Sequence, residues 1–292
     1  MKKSKFPYLV LTPMMLLLTV FIVVPIIASF VISFLDYSPL RETGNLFVGL
    51  RNFKTLLKDE LYIASLKNLL IYVVIFVIIN LTLTLITSAL LCQLASNKWR
   101  SLFRTAFFMP CVAPLAAVTV VWQKCLFPTR GGALNMILGK LGVSPIDWVG
   151  NASTLMMSIL ILSLWADVGY NTILFIAGMQ GIPKDFYEAA EIDGAGAVRR
   201  FFSITMPLLT RTFSFVCIMT IISQFQAFAQ FSILAPTGGP SRSAYVLGTY
   251  IYRMGFVSHD MGYASAVSVT LFLIMLVITL IQQRMNRVDW RY

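Results

Sequence analysis

From Asn68 to Cys92 the chain carries no charged side chain. An α-helix rises about 1.5 Å per residue, so about 20 apolar residues cross the hydrocarbon core of a bilayer. Near-chargeless apolar runs recur at about 8–34, 103–123, 153–179, 207–234 and 263–283. In lipid every backbone N–H and C=O must be satisfied internally, which leaves helices or closed barrels. These runs are far longer than barrel strands. The fold class predicted is an all-α membrane protein with six transmembrane helices. Composition agrees: 58% of the 292 residues are hydrophobic and 12% charged, where a soluble domain carries about 25% charge.

The first run follows Lys2, Lys3 and Lys5, as in a signal peptide. It exceeds the roughly 7–15 residues of a cleaved apolar region, so it reads as a retained helix, kinked at Pro13 and Pro25. The stretch 127–150 is rich in Gly and Pro and reads as a loop with short helical pieces. Ala235 to Pro240 reads as a sharp break after the fifth helix.

Lys and Arg outnumber Asp and Glu by 23 to 12. In a soluble chain this would suggest nucleic acid; here it reports topology, and no nucleic-acid partner is expected. Basic residues are nearly twice as dense in 1–7, 93–104, 180–211 and 282–292 as in 35–67, 124–152 and 235–262. The first set includes Lys2, Lys3, Lys5, Arg284, Arg287 and Arg291. By the positive-inside rule this side, with both termini, is cytoplasmic. Trp122, Trp148 and Trp290 fall at span ends and read as interfacial anchors. Cys92, Cys111, Cys125 and Cys217 have no CxxC spacing and read as small core residues. One histidine and scattered cysteines assemble neither a metal site nor a catalytic constellation, so no enzyme activity is expected. No GxxxxGK[ST] stretch is present: Gly139-Lys140 is followed by Leu141, so nucleotide must bind elsewhere.

The polar segment 183–207 separates two apolar runs. Pro183, Lys184 and Asp185 read as a helix start, the helix running to about Ile192. Asp193-Gly194 is a turn signal. A second short helix carries Arg199 and Arg200 and ends before Pro207. Small residues and a carboxylate suit docking into a groove on another protein; an amphipathic helix lying on lipid is the other reading.

Glu188-Ala189-Ala190, Gly194, Ile204 and Pro207 resemble, at their spacing, the EAA loop of the inner-membrane permeases of binding-protein-dependent ABC importers. Met206 replaces the usual Leu, and Arg211 stands where many sugar permeases have a second Pro. The likeness extends to 47–53, 174–183, 237–240, 250–252, Phe256 and 262–266, and is to the carbohydrate-uptake subfamily (maltose, glycerol-phosphate and multiple-sugar types). It implies a type I (MetI-like) permease in a bacterial inner membrane. Residues 1–67 would form a first helix and external segment, and 68–292 a five-helix core. Glu188, Ala189, Ala190, Asp193 and Gly194 would be the element coupled to the ATPase. The partners implied are a second permease, a pair of ATPase subunits holding ATP and Mg, an external solute-binding protein and a carbohydrate. This chain would hold no cofactor.

Two clusters are candidates for the solute path. The fifth run contains Ser223, Gln224, Phe225, Gln226, Phe228 and Gln230. In one helix Gln226 and Gln230 share a face, and amides in a membrane should face a cavity or another helix. Asp167 is the one acidic residue deep in a run, near Tyr170 and Asn171. Cavity lining and structural pairing both fit it. The expected function is an ATP-driven sugar importer subunit working by alternating access; the alternative is an ion-coupled secondary transporter, for which Asp167 is the sole coupling candidate.

Overall fold

The computed structural model describes residues 6–40, 46–94 and 96–285. Lys2, Lys3, Lys5, Arg287, Trp290 and Arg291 lie outside the described residues. In chain order the elements are α1 (Phe6–Leu18), α2 (Val24–Ile32), β1 (Leu35–Asp36), β2 (Leu46–Phe47), α3 (Arg51–Leu56), α4 (Glu60–Gln93), α5 (Asn97–Val112), α6 (Leu115–Val121) and α7 (Ala133–Lys140). There follow α8 (Ala152–Gln180), α9 (Asp185–Ile192), α10 (Ala197–Arg200), α11 (Met206–Leu208), α12 (Thr210–Phe225), α13 (Ala229–Leu234), α14 (Leu247–Tyr252) and α15 (Met261–Met285). Five stretches are long and apolar enough to cross a membrane, and α5 with the helix from Leu115 to Leu126 makes a sixth. The protein is an all-α membrane protein.

Two features differ from the sequence reading. The third span is two helices bent by 92°. Pro114 explains it: the residue before a proline is pushed out of the α region, and Ala113 takes φ −78°, ψ 138°. The helix through α10 also does not end before Pro207. A π-helical turn at Phe201–Thr205 leads into α11, which contains Pro207. Another π turn, Thr19–Val23, precedes Pro25 in the first span. Wider turns absorb the hydrogen bond that a proline cannot make.

Contacts divide the chain into two units, 1–64 with 250–276 and 65–249 with 277–292. In the first, Leu35 pairs with Phe47 and Asp36 with Leu46 in a two-stranded antiparallel ladder. Arg51 is 2.8 Å from Asp36, and the buried Asn52 amide donates to the Ser33 and Leu35 carbonyls at 2.9 and 3.0 Å. Asp59 caps α4, accepting from the N–H groups of Leu61 and Tyr62 through Oδ1. Its Oδ2 accepts from the Tyr250 hydroxyl and, at 2.5 Å, from that of Tyr263. Burial opposes its ionisation, but these bonds overcome it and hold the carboxyl below the usual carboxylate range.

In the second unit, Leu81, Phe175, Met179, Leu209 and Val216 form a core from α4, α8 and the start of the fifth span. Asn80, Thr84 and Ser88 repeat every four residues along α4, each fully buried; Thr84 bonds back to the Asn80 and Leu81 carbonyls of its own helix, while Asn80 and Ser88 bond α8. Ser88 Oγ donates to the Thr172 carbonyl at 3.0 Å, and the Thr87 and Thr172 hydroxyls bond at 3.0 Å. Such bonds, with small residues at crossings, hold membrane helices together. A β-carbon on Gly169 would stand 1.9 Å from the Phe107 carbonyl oxygen, so only glycine lets α5 and α8 approach this closely. Trp122 and Trp148 are not interfacial anchors: both are buried. Trp122 packs on Phe127 and Trp165, and Trp148 donates to the Asn135 side-chain oxygen at 3.2 Å. The cysteines are free, but none is fully buried and Cys125 is exposed.

Candidate functional site

Two places in the second unit carry the candidate residues. The first is the polar segment after α8. Asp185 and Glu188 occupy the first turn of α9, where the helix dipole favours carboxylates. The helix closes in a Schellman turn: the Gly194 N–H donates to the Glu191 carbonyl at 3.0 Å and the Ala195 N–H to the Ala190 carbonyl at 2.8 Å. That turn requires a left-handed residue, and Gly194 supplies it with φ 74°. Asp193 is the C-cap. The return helix is tied back by Arg200 on Glu191 at 3.2 Å and by the Tyr187 and Thr205 hydroxyls at 2.9 Å. Ala190, Asp193 and Gly194 therefore set the shape, while Glu188 and Ala189 expose their side chains. Ile192, Val198 and Phe202 are 87%, 72% and 66% exposed.

The second place is a cavity of about 540 Å3 where two membrane helices break. One wall is the bend of the third span, from Pro110 to Leu115; another is the fifth span around Gln226–Ala229. The fifth span is not continuous: α12 ends at Phe225, Phe228 takes φ −135°, ψ −53°, and α13 starts at Ala229. Gln226 and Gln230 therefore do not share a helix face. Irregular backbone at membrane depth survives where it lines a cavity or is buried in protein, and residues 226–229 line this one. Gln224 and Gln230 are buried. Gln224 accepts from the Tyr72 hydroxyl at 2.8 Å, and Gln230 reaches Ser163 at 3.5 Å. Gln226 and Tyr170 are exposed on the cavity wall.

Asp167 lines the same cavity. Behind it Asn171 is buried and donates to Asn80 Oδ1 at 2.7 Å and Thr220 Oγ1 at 3.0 Å. Asn80 and Asn171 each approach Asp167 Oδ2 at 3.4 Å. Among the described residues no cation pairs with Asp167, and no lysine or arginine lines the cavity. Cavity lining and structural pairing thus coincide. The sequence reading missed Asn80, Tyr72 and the bend at 110–115. Pro110 and Pro114 were the available signal for the bend; isolated polar residues on α4 gave little for the other two.

The sequence profile described as "Binding-protein-dependent transport system inner membrane component" matches residues 4–288. The chain is 34% identical to the probable ABC transporter permease protein YurN of Bacillus subtilis, over 95% of this chain and 94% of that one. It is 32% identical to the arabinooligosaccharides transport system permease protein AraP of the same organism, over 97% and 89%. It is likewise 32% identical to the sn-glycerol-3-phosphate transport system permease protein UgpA of Yersinia pseudotuberculosis, over 99% and 97%. Among solved structures, a chain of a bacterial ABC transporter involved in import of the acidic polysaccharide alginate superposes with a TM-score of 0.85 at 20% identity, over 98% and 96%. That likeness shows the fold. The profile match decides against the ion-coupled carrier: the chain belongs to the family of inner-membrane permease components of binding-protein-dependent ABC transport systems.

Proposed function

We propose that this permease carries a neutral oligosaccharide across the cytoplasmic membrane, and that Glu188, Ala189 and the apolar residues around them dock on a separate ATPase holding ATP and Mg. The observation that carries the substrate class is the cavity wall. Amides, hydroxyls and two aromatic rings, Tyr170 and Phe228, line it, with the Asp167 carboxylate and, among the described residues, no cation. Sugars are held by neutral hydrogen-bonding groups and flat apolar faces. A lone carboxylate in a low-dielectric cavity repels anions, which disfavours uronates and phosphates. Imports of both kinds are named among similar proteins, alginate in one and glycerol phosphate in another; the arabinooligosaccharide relative is the better guide.

In this reading both termini and the docking segment face the cytosol, a second permease completes the cavity, and an external binding protein delivers the sugar. ATP binding draws the docking helices together and turns the cavity outward, a two-state shift. The test is binding-protein-stimulated ATP hydrolysis by the reconstituted complex across a glycan panel. Neutral oligosaccharides should stimulate; uronate oligomers and glycerol phosphate should not. Stimulation by the acidic set alone would overturn the substrate class.

A further inference from the structure

A second cleft, of about 550 Å3, lies between the C-terminal end of α4, the start of α5 and the docking segment. Arg100, Lys184 and Arg200 line it, and no acidic side chain does. Arg104 follows one turn along α5, close enough for its charge to be felt at Cys92 on the cleft wall. Arg100 Nη2 donates to the Cys92 and Leu94 carbonyls at 3.3 and 2.5 Å and so closes the end of α4. Its Nε, with Nε and Nη2 of Arg104, is buried without a hydrogen-bond partner. Buried guanidinium donors left open are costly, and unsatisfied groups of this kind point to a missing ligand. Glu191, which bonds Arg200, does not line the cleft and its side chain is 72% exposed.

The ligand must bring oxygen acceptors and negative charge, which is the chemistry of a phosphate group. The flank of α5 says where that phosphate comes from. Trp99, Leu102 and Phe103 are 55%, 56% and 40% exposed, and the Trp99 and Phe103 rings stack at 6.0 Å. Tryptophan beside basic residues is the signature of a headgroup boundary, and basic pockets between membrane helices on the cytoplasmic side bind anionic headgroups. A free phosphate would make no use of that apolar flank.

We infer that the cleft between α4, α5 and the docking segment binds the phosphate of an anionic phospholipid from the cytoplasmic leaflet. The lipid joins α5 to Lys184 and Arg200, and so steadies the docking segment against the body of the permease. The inference rests on the cytoplasmic placement of that segment.

The test uses the complete importer in nanodiscs, of phosphatidylcholine alone or with phosphatidylglycerol, reading binding-protein-stimulated ATP hydrolysis and retained lipid by native mass spectrometry. Wild type should hydrolyse ATP faster in the phosphatidylglycerol discs and retain that lipid. Arg104→Gln should retain it roughly fivefold less and lose the rate difference. Arg104→Lys, which keeps the charge, should respond as wild type, separating loss of the ligand from loss of the fold. Inorganic phosphate added to phosphatidylcholine discs should not restore the rate. Equal rates in both discs, an Arg104→Gln response like that of wild type, or rescue by inorganic phosphate would overturn the lipid assignment. No stimulation by binding protein in any disc would instead count against the importer reading.

Discussion

The proposed docking segment and the proposed solute cavity use their polar residues in opposite ways. In the segment the backbone makes the shape: the turn at Gly194 is closed by N–H groups bonding to the Glu191 and Ala190 carbonyls, and Glu188 projects outward. In the cavity the side chains make the shape, since Asp167, Asn171, Asn80 and Thr220 are held by one another across three helices. A site that must grip another protein can leave its key charge uncommitted. A site at membrane depth cannot, because water is not there to satisfy what the protein leaves open. Function and stability should therefore separate in the segment and stay entangled in the cavity.

Glu188→Lys tests the first half and carries the largest effect. Uptake by the assembled transporter should be lost and the ATPase should no longer co-purify. The melting temperature of the permease should shift little, because the cost is confined to a first-turn charge, about 0.3–1 kcal/mol. Normal uptake in that variant would end the docking reading. Asn171→Leu tests the second half. It leaves the Asn80 and Thr220 oxygens without their donor and removes one of the two amides near Asp167, at a cost of about 1–2 kcal/mol. Thermal stability and transport should fall together. A stable variant that fails to transport would mean that Asn171 touches the solute and supports nothing.

How much of this could be read from residue order follows the same division. The helix at Asp185 and the turn at Gly194 were legible because their determinants are local: Gly194 and Asp193 mark a turn, and Asp185 a helix start. Six apolar runs were legible because bilayer thickness fixes their length. The bend of the third span was encoded by Pro114 acting on Ala113, a dipeptide rule that a run of hydrophobics hides. The break at Gln226–Phe228 contains neither proline nor glycine; its partners are tertiary, with a β-carbon on Gly248 only 3.0 Å from the Ala227 carbonyl oxygen. Asn80 was invisible for the same reason, since its partners Asp167 and Asn171 lie on another helix. Trp122 and Trp148 were misjudged because their position near span ends fits an interfacial anchor and a core ring equally well.

Asp59 is the case that sharpens the contrast, a committed carboxylate outside the membrane spans. It is shared between the N-terminus of α4 and two phenols, Tyr250 and Tyr263, so it should behave like the cavity and not like the docking segment. Burial raises its pKa, the hydrogen bonds lower it, and the net direction is downward from 3.8. A depressed carboxylate contributes stability that is complete above its unfolded pKa and lost as pH falls through the lower folded value. Asp59→Asn should therefore melt below wild type by a constant margin at neutral pH. The margin should begin to close once pH drops past about 3.8 and vanish in stronger acid. It is the smallest of the three effects, because the group is only partly buried and solvent screens it. A margin independent of pH down to the acid transition would show that the asparagine amide loses hydrogen-bond geometry alone, and that the charge on Asp59 contributes nothing to holding α4 against the two tyrosines.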